Sequence, residues 1–174
     1  MARTSYAIAL GSNRRSRYGS PAETLRAAAA ALERLGREGV SVLDFAPVLL
    51  SDPVGPSRRR YANSAAVIAS SLAPPELLAL LKRIERDFGR RGGGQRWTSR
   101  VLDLDVILWS GGPFADDALT IPHPLFRERD FVLAPATHIA PAWRDPITGL
   151  TVCQLHARLT RPRAVRRATG WSGP

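Results

Sequence analysis

The chain has a single cysteine, Cys153, so no internal disulfide is possible, and no partner stands at a zinc-ligand spacing from it. Lysine is as scarce, with Lys82 alone among 25 basic residues. No apolar run approaches the roughly 18 to 20 residues that a membrane-spanning helix needs. Tyr6 to Leu10 is too short for the core of a signal peptide. A cytoplasmic protein with no membrane partner is therefore expected. The sequence contains no G-x-x-x-x-G-K-[ST], which excludes a P-loop nucleotide site, and no H-R-D of a protein kinase. Phosphoryl transfer requires neither motif; it requires positioned cations and an aligned acceptor.

What is present fits one domain. The 174 residues are 44% hydrophobic, enough for a real core. A single domain is expected over 1–160, followed by an Arg-rich, poorly ordered tail over 161–174. The net charge of +10 favours anionic partners, although a total alone does not choose between nucleotides and nucleic acid. Arginines gather at 14–17, 58–60, 90–100 and 158–167, the first three groups in expected loops.

Hydrophobic periodicity gives an order of elements. Tyr6 to Leu10 reads as a strand ended by Gly11-Ser12-Asn13. A helix follows with Ser20 as N-cap, Pro21 first, Glu23 three after the cap and Gly36 past the end. Ser41 to Leu50 reads as a second strand, and Pro47 marks an edge position or a bulge. Tyr61 to Ile68 alternates as a third. Pro74-Pro75-Glu76 opens a second helix closed by Gly89, with Leu77, Leu81, Ile84 and Phe88 on one face. A fourth strand starts at Leu102. The β-α-β-β-α-β order predicts an α+β, ferredoxin-like antiparallel sheet with helices on one face and an open ligand-binding face, with added C-terminal helices.

The fourth strand carries the chemistry. Its alternation turns Leu102, Leu104, Val106 and Leu108 one way and Asp103 and Asp105 the other. Acids at i and i+2 on a strand lie about 7 Å apart and repel unless cations come between them. Arg96 and Arg100 precede them. Carboxylates able to hold a hard divalent cation, beside guanidinium groups able to hold phosphate, point to a site for a metal-bound polyphosphate. The alternative is a solvated strand face.

An RNA-recognition module shares this strand order but stacks bases on aromatic side chains, where the third strand here offers Tyr61, Asn63, Ala65 and Val67. Two carboxylates on the open face would also repel a phosphate backbone. No nucleic-acid partner is expected.

Several motifs combine into a resemblance. Arg96-Trp97-x-x-Arg100-x-Leu102-Asp103-Leu104-Asp105, Ala9-Leu10-Gly11-Ser12-Asn13, Tyr61-x-Asn63, Pro122-His123 and Arg129-x-Phe131 are similar to the 6-hydroxymethyl-7,8-dihydropterin pyrophosphokinase family of folate biosynthesis, from about Tyr6 to Leu159. The resemblance implies pyrophosphoryl transfer from ATP to the pterin hydroxymethyl group, with release of AMP. It implies ATP as co-substrate and two Mg²⁺ held by Asp103 and Asp105, which with Arg90 and Arg100 form the catalytic set. It places Ser51, Val54, Tyr61, Asn63, Trp97 and Phe131 at the pterin, and Glu85, Arg90, Trp97, Arg100, His123 and Arg129 at the nucleotide. Gly92-Gly93-Gly94 reads as the hinge of a lid. A regulatory relative that binds without turnover would be expected to lack the metal acids, and this chain keeps both. A monomer is favoured.

Three departures from the family pattern stand out: Thr98-Ser99 where Gly-Pro is common, Asp52 for a proline in the pterin loop, and the cationic run Arg58-Arg59-Arg60.

Overall fold

The computed structural model describes residues 3–51, 60–89 and 100–162. Ser20 caps the first helix as its sequence dictates: its hydroxyl accepts from the Glu23 backbone N–H at 3.4 Å and the Glu23 carboxylate reaches back to the Ser20 N–H at 2.6 Å. This helix, α1, spans Pro21–Glu33 and follows β1, Thr4–Ser12. It stops earlier than Gly36 suggests. A 3-10 turn, Arg34–Glu38, carries the chain past Gly36, and the left-handed terminator is Gly39 at φ 79°.

The expected second strand is two strands, β2 (Val40–Phe45) and β3 (Leu49–Ser51), separated around Pro47. A proline cannot donate to a ladder, so the strand breaks there. Both pieces pair with β4, Tyr61–Ser70. The second helix, α2 (Pro74–Asp87), is capped by Glu76 alone, whose carboxylate accepts from the Ala73 N–H at 2.8 Å. Gly89, at φ 100°, ends that turn as expected. The fourth strand of the reading is β5, Asp103–Trp109.

The sheet runs β2-β4-β1-β5, antiparallel throughout, so the two strands at its centre are β1 and β4. One face packs Tyr6, Ile8, Leu10, Ala66, Ile68, Leu104 and Val106 against Leu25 and Leu32 of α1 and Leu77, Leu81 and Ile84 of α2. This is the ferredoxin-like arrangement that the alternation predicted.

The second face is only partly open. After the short hairpin β6 (Phe114–Ala115) and β7 (Thr120–Ile121), helices α3 (Asp130–Ile139) and α4 (Val152–Thr160) bring Val132, Leu133, Ala136, Val152 and Leu155 onto Ala7, Ala9, Ala65 and Ile107. Small side chains on β1 and β4 leave room for a helix to approach the sheet closely. The turn between these helices is tied by Asp145, whose buried carboxylate receives Arg127 Nε at 2.7 Å and a second guanidinium nitrogen at 2.6 Å. Burial would raise the Asp145 pKa, but Arg127 and the Thr148 hydroxyl prevail and bring it down to about 2. Among the described residues, no helix is long and apolar enough to cross a membrane.

Strand β5 departs from strict alternation near its end. Alternation placed Leu108 with Leu102, Leu104 and Val106, but Leu108 packs with Ile107 in the second core. The cause is a bulge: Val106 pairs with Ile8 and Leu108 with Ala7, leaving Ile107 as an extra residue. One inserted residue reverses the facing of everything beyond it.

Candidate active site

Register across the sheet assembles the site. Asp103 pairs with Gly11, Gly11 with Asn63 and Asn63 with Leu49, which forms one row across four strands. The next row is Asp105, Ala9 and Ala65. Directly paired residues point to the same face, so the two acids and Asn63 share one surface, on the side that carries α3. Gly11 stands between Asp103 and Asn63 with no side chain, and a Cβ there would touch Asn63 Oδ1 at 3.7 Å. The floor between acid and amide is bare backbone. Asn63 donates to the Ser51 hydroxyl at 2.9 Å, and Ser51 pairs with Tyr61, so the three residues form the far side of this floor.

The acids are in unequal surroundings. Asp103 accepts from an Arg100 guanidinium nitrogen at 2.6 Å in a partly exposed pair. Asp105 lies deeper. Burial, then the charge of Asp103, raises its pKa above the ordinary carboxylate value, while Lys82, His123 and Arg129 pull it down. Among the described residues no three His, Cys, Asp or Glu side chains converge as a self-sufficient metal cage. Two carboxylate donors on one face suit a hard cation that takes one or two protein oxygens and completes its shell with water and phosphate.

The bulge helps to place His123. Ile107, released from regular pairing, presents its carbonyl to the His123 backbone N–H at 3.1 Å and so docks the Pro122-His123 segment on β5. The Leu125 N–H donates to His123 Nδ1 at 3.2 Å, which assigns the neutral ring its proton on Nε2 and makes that nitrogen a donor. Burial lowers the His123 pKa, and the charge of Asp105 opposes it. Arg129, at the start of α3, sets its guanidinium 5.7 Å from the centre of the Phe131 ring. The N-terminal end of this helix therefore brings a cation and an aromatic face to the same region.

Glu85 occupies a different kind of position. It is fully buried on α2, and its Oε1 accepts from the Leu104 N–H and from Lys82 Nζ, both at 2.8 Å. Since β5 is an edge strand, the Leu104 N–H has no strand on its outer side, and Glu85 supplies the missing acceptor. The lone lysine lies close enough to Asp105 for its charge to be felt there.

Ser51, Tyr61, Asn63, Arg100, Asp103, Asp105, His123, Arg129 and Phe131 are thus gathered around one face and its rim, with Glu85 behind β5. Arg90, Val54 and Trp97 lie outside the described residues, as do Asp52, Arg58-Arg59, Gly92-Gly93-Gly94 and Thr98-Ser99. Sequence reasoning missed the Ile107 bulge, although two successive apolar residues, Ile107 and Leu108, signalled the break in alternation. It also gave Asn13 no role beyond its motif. The shallow groove of about 440 Å³ along β2, lined by Glu33 and residues 40–45, lies at the opposite sheet edge from the acids.

Comparison with known proteins is consistent with this geometry. The family described as 7,8-dihydro-6-hydroxymethylpterin-pyrophosphokinase matches residues 7–141. A 2-amino-4-hydroxy-6-hydroxymethyldihydropteridine pyrophosphokinase of Bacillus subtilis is 38% identical over 158 residues, 90% of each chain. The protein of that name from Pseudomonas aeruginosa is 37% identical over 140 residues, covering 80% of this chain and 82% of its own. One from Synechocystis is 45% identical over 101 residues, 58% of this chain, and there the match spans about half of the relative, 51%. A crystal structure of HPPK-DHPS in complex with substrates superposes with TM-score 0.71 at 9% identity over 91% of this chain and 45% of that one. Plasmodium falciparum HPPK-DHPS with pteroate gives 0.68 at 11% identity, covering 90% and 42%. At such identities these two likenesses establish the fold alone.

Proposed function

Because the chain belongs to the 7,8-dihydro-6-hydroxymethylpterin-pyrophosphokinase family, we propose that it transfers the β,γ-pyrophosphoryl group of ATP to the hydroxymethyl oxygen of 6-hydroxymethyl-7,8-dihydropterin, a step of folate biosynthesis. A bond forms between that oxygen and the β-phosphorus. The bridge between the α- and β-phosphorus breaks, its electrons leave with AMP, and the hydroxyl proton passes to solvent. The observation that carries this reading is the row of Asp103, Gly11 and Asn63, which sets a metal-type acid and a pterin-type amide on one floor with only backbone between them.

Asp103 and Asp105 would hold two Mg²⁺. Bound there, the ions would supply charge neutralisation on the phosphate oxygens and a lowered pKa for the acceptor hydroxyl. Arg100, and Arg90 with it, bind phosphate oxygens through planar guanidinium forks, a geometry that lysine does not reproduce. His123 offers Nε2–H to the nucleotide, and Arg129 adds charge at the same rim. Glu85 acts there through β5. Tyr61 and Phe131 give the pterin its two aromatic faces, Asn63 and Ser51 read its polar edge, and Val54 and Trp97 are the remaining pterin contacts. The protein works in the cytoplasm as a monomer.

Incubation with Mg²⁺ and ATP is expected to yield AMP only when the hydroxymethyl-dihydropterin is added. Formation of ADP, or no nucleotide product with both substrates present, overturns the reading.

A further inference from the structure

Beyond the acids and arginines, the structure points to a residue that sets where Arg100 stands. The β1–β5 ladder ends at the rung between Gly11 and Asp103, and the chain at Arg100 lies three residues before that rung. Past the rung, one residue holds the chain through both its backbone and its side chain. Asn13, 6% exposed, accepts the Arg100 N–H on its Oδ1 at 2.8 Å and donates its own N–H to the Arg100 carbonyl at 3.2 Å. Both polar groups of the Arg100 backbone are therefore held by one residue of β1's extension. From that anchor the guanidinium reaches Asp103 at 2.6 Å.

We propose that Asn13 is a positioning residue for the reaction, fixing the Arg100 backbone so that its guanidinium meets the transferred phosphates beside Asp103. This rests on the proposed pyrophosphoryl transfer and on the phosphate role of Arg100. A side chain whose anchor loosens by about 1 Å loses on the order of a hundredfold in rate. The pterin side is built on β3 and β4, through Ser51, Tyr61 and Asn63, and does not depend on the clamp.

The test is a double-mutant cycle of Asn13→Ala with Arg100→Ala, reading kcat, the pterin KM and pterin binding by fluorescence. Asn13→Ala is expected to lower kcat roughly ten- to hundredfold with pterin binding unchanged. In the Arg100→Ala background the same change is expected to cost less than about twofold. Costs that multiply independently, or a loss confined to pterin binding, overturn the proposal. If circular dichroism shows that Asn13→Ala does not fold, Asn13→Ser replaces it in the cycle. Failure of both variants to fold makes the residue structural and also overturns the proposal. Wild-type protein that forms no AMP refutes the underlying reaction, whereas an active wild type with independent costs refutes the clamp alone.

Discussion

Asp105→Asn protein is expected to form AMP at least about a thousandfold more slowly than the wild type and yet to melt at a higher temperature near neutral pH without divalent metal. Both halves follow from one arrangement. Asp105 is partly buried beside Asp103, and these two influences raise its pKa despite Lys82, His123 and Arg129. An acid whose pKa is raised by folding favours the folded state below its ordinary pKa and loses that contribution as pH rises through the raised value. At neutral pH the metal-free wild type therefore carries an electrostatic penalty that the amide lacks. The difference in melting temperature should shrink as the pH falls and Asp105 takes up its proton.

Activity moves the other way, because the charge that costs stability is the charge that would hold the metal. Loss of either acid, in Asp105→Asn or Asp103→Ala, is expected to lower turnover at least about a thousandfold, on the order of 4 kcal/mol of transition-state stabilisation. Calorimetry across pH and a turnover assay check the two halves separately. Near-normal turnover refutes the metal role, and an Asp105→Asn protein that melts below the wild type at neutral pH refutes the electrostatic account of Asp105.

Glu85→Ala should instead destabilise the fold, by about 3 kcal/mol. The change leaves the Leu104 N–H without its acceptor, removes the partner of Lys82 and opens space behind β5. For a chain of this length, that energy corresponds to a fall in melting temperature of roughly 6–12 °C. Glu85→Gln keeps an acceptor oxygen and should recover much of the loss. A residue that only touched the nucleotide would raise the KM for ATP and leave the melting temperature unchanged. That outcome would return Glu85 to the ligand surface and contradict its role as a tie between α2 and β5.

The fold was legible where local chemistry and hydrophobic pattern agreed. Ser20, Pro21 and Glu23 form a complete helix start, and the apolar faces of α1 and α2 left only the sheet to cover. The acids were legible for the same reason, since Leu104 and Val106 had to face the helices and so turned Asp103 and Asp105 outward. What escaped was long-range. Ala7, Ala9 and Ala65 have little hydrophobic signal of their own, so nothing local announced that α3 would pack on them. The bulge at Ile107 depends on how β5 pairs with β1, and only that register explains why its carbonyl is available to His123. Nothing local revealed that the edge of β5 would lie against Glu85 and take its carboxylate as an acceptor. The Asn13 clamp likewise joins residues 87 positions apart.

The central claim is that Asp103 and Asp105 hold two divalent ions across a bound nucleotide. Manganese substituted for magnesium, titrated by electron paramagnetic resonance with α,β-methylene-ATP and the pterin present, measures it directly. The account predicts two Mn²⁺ per chain, close enough for their spins to couple, with the coupled signal lost in Asp103→Ala and in Asp105→Asn. Two ions bound equally well by both variants, or no Mn²⁺ bound at all with the nucleotide in place, would contradict it.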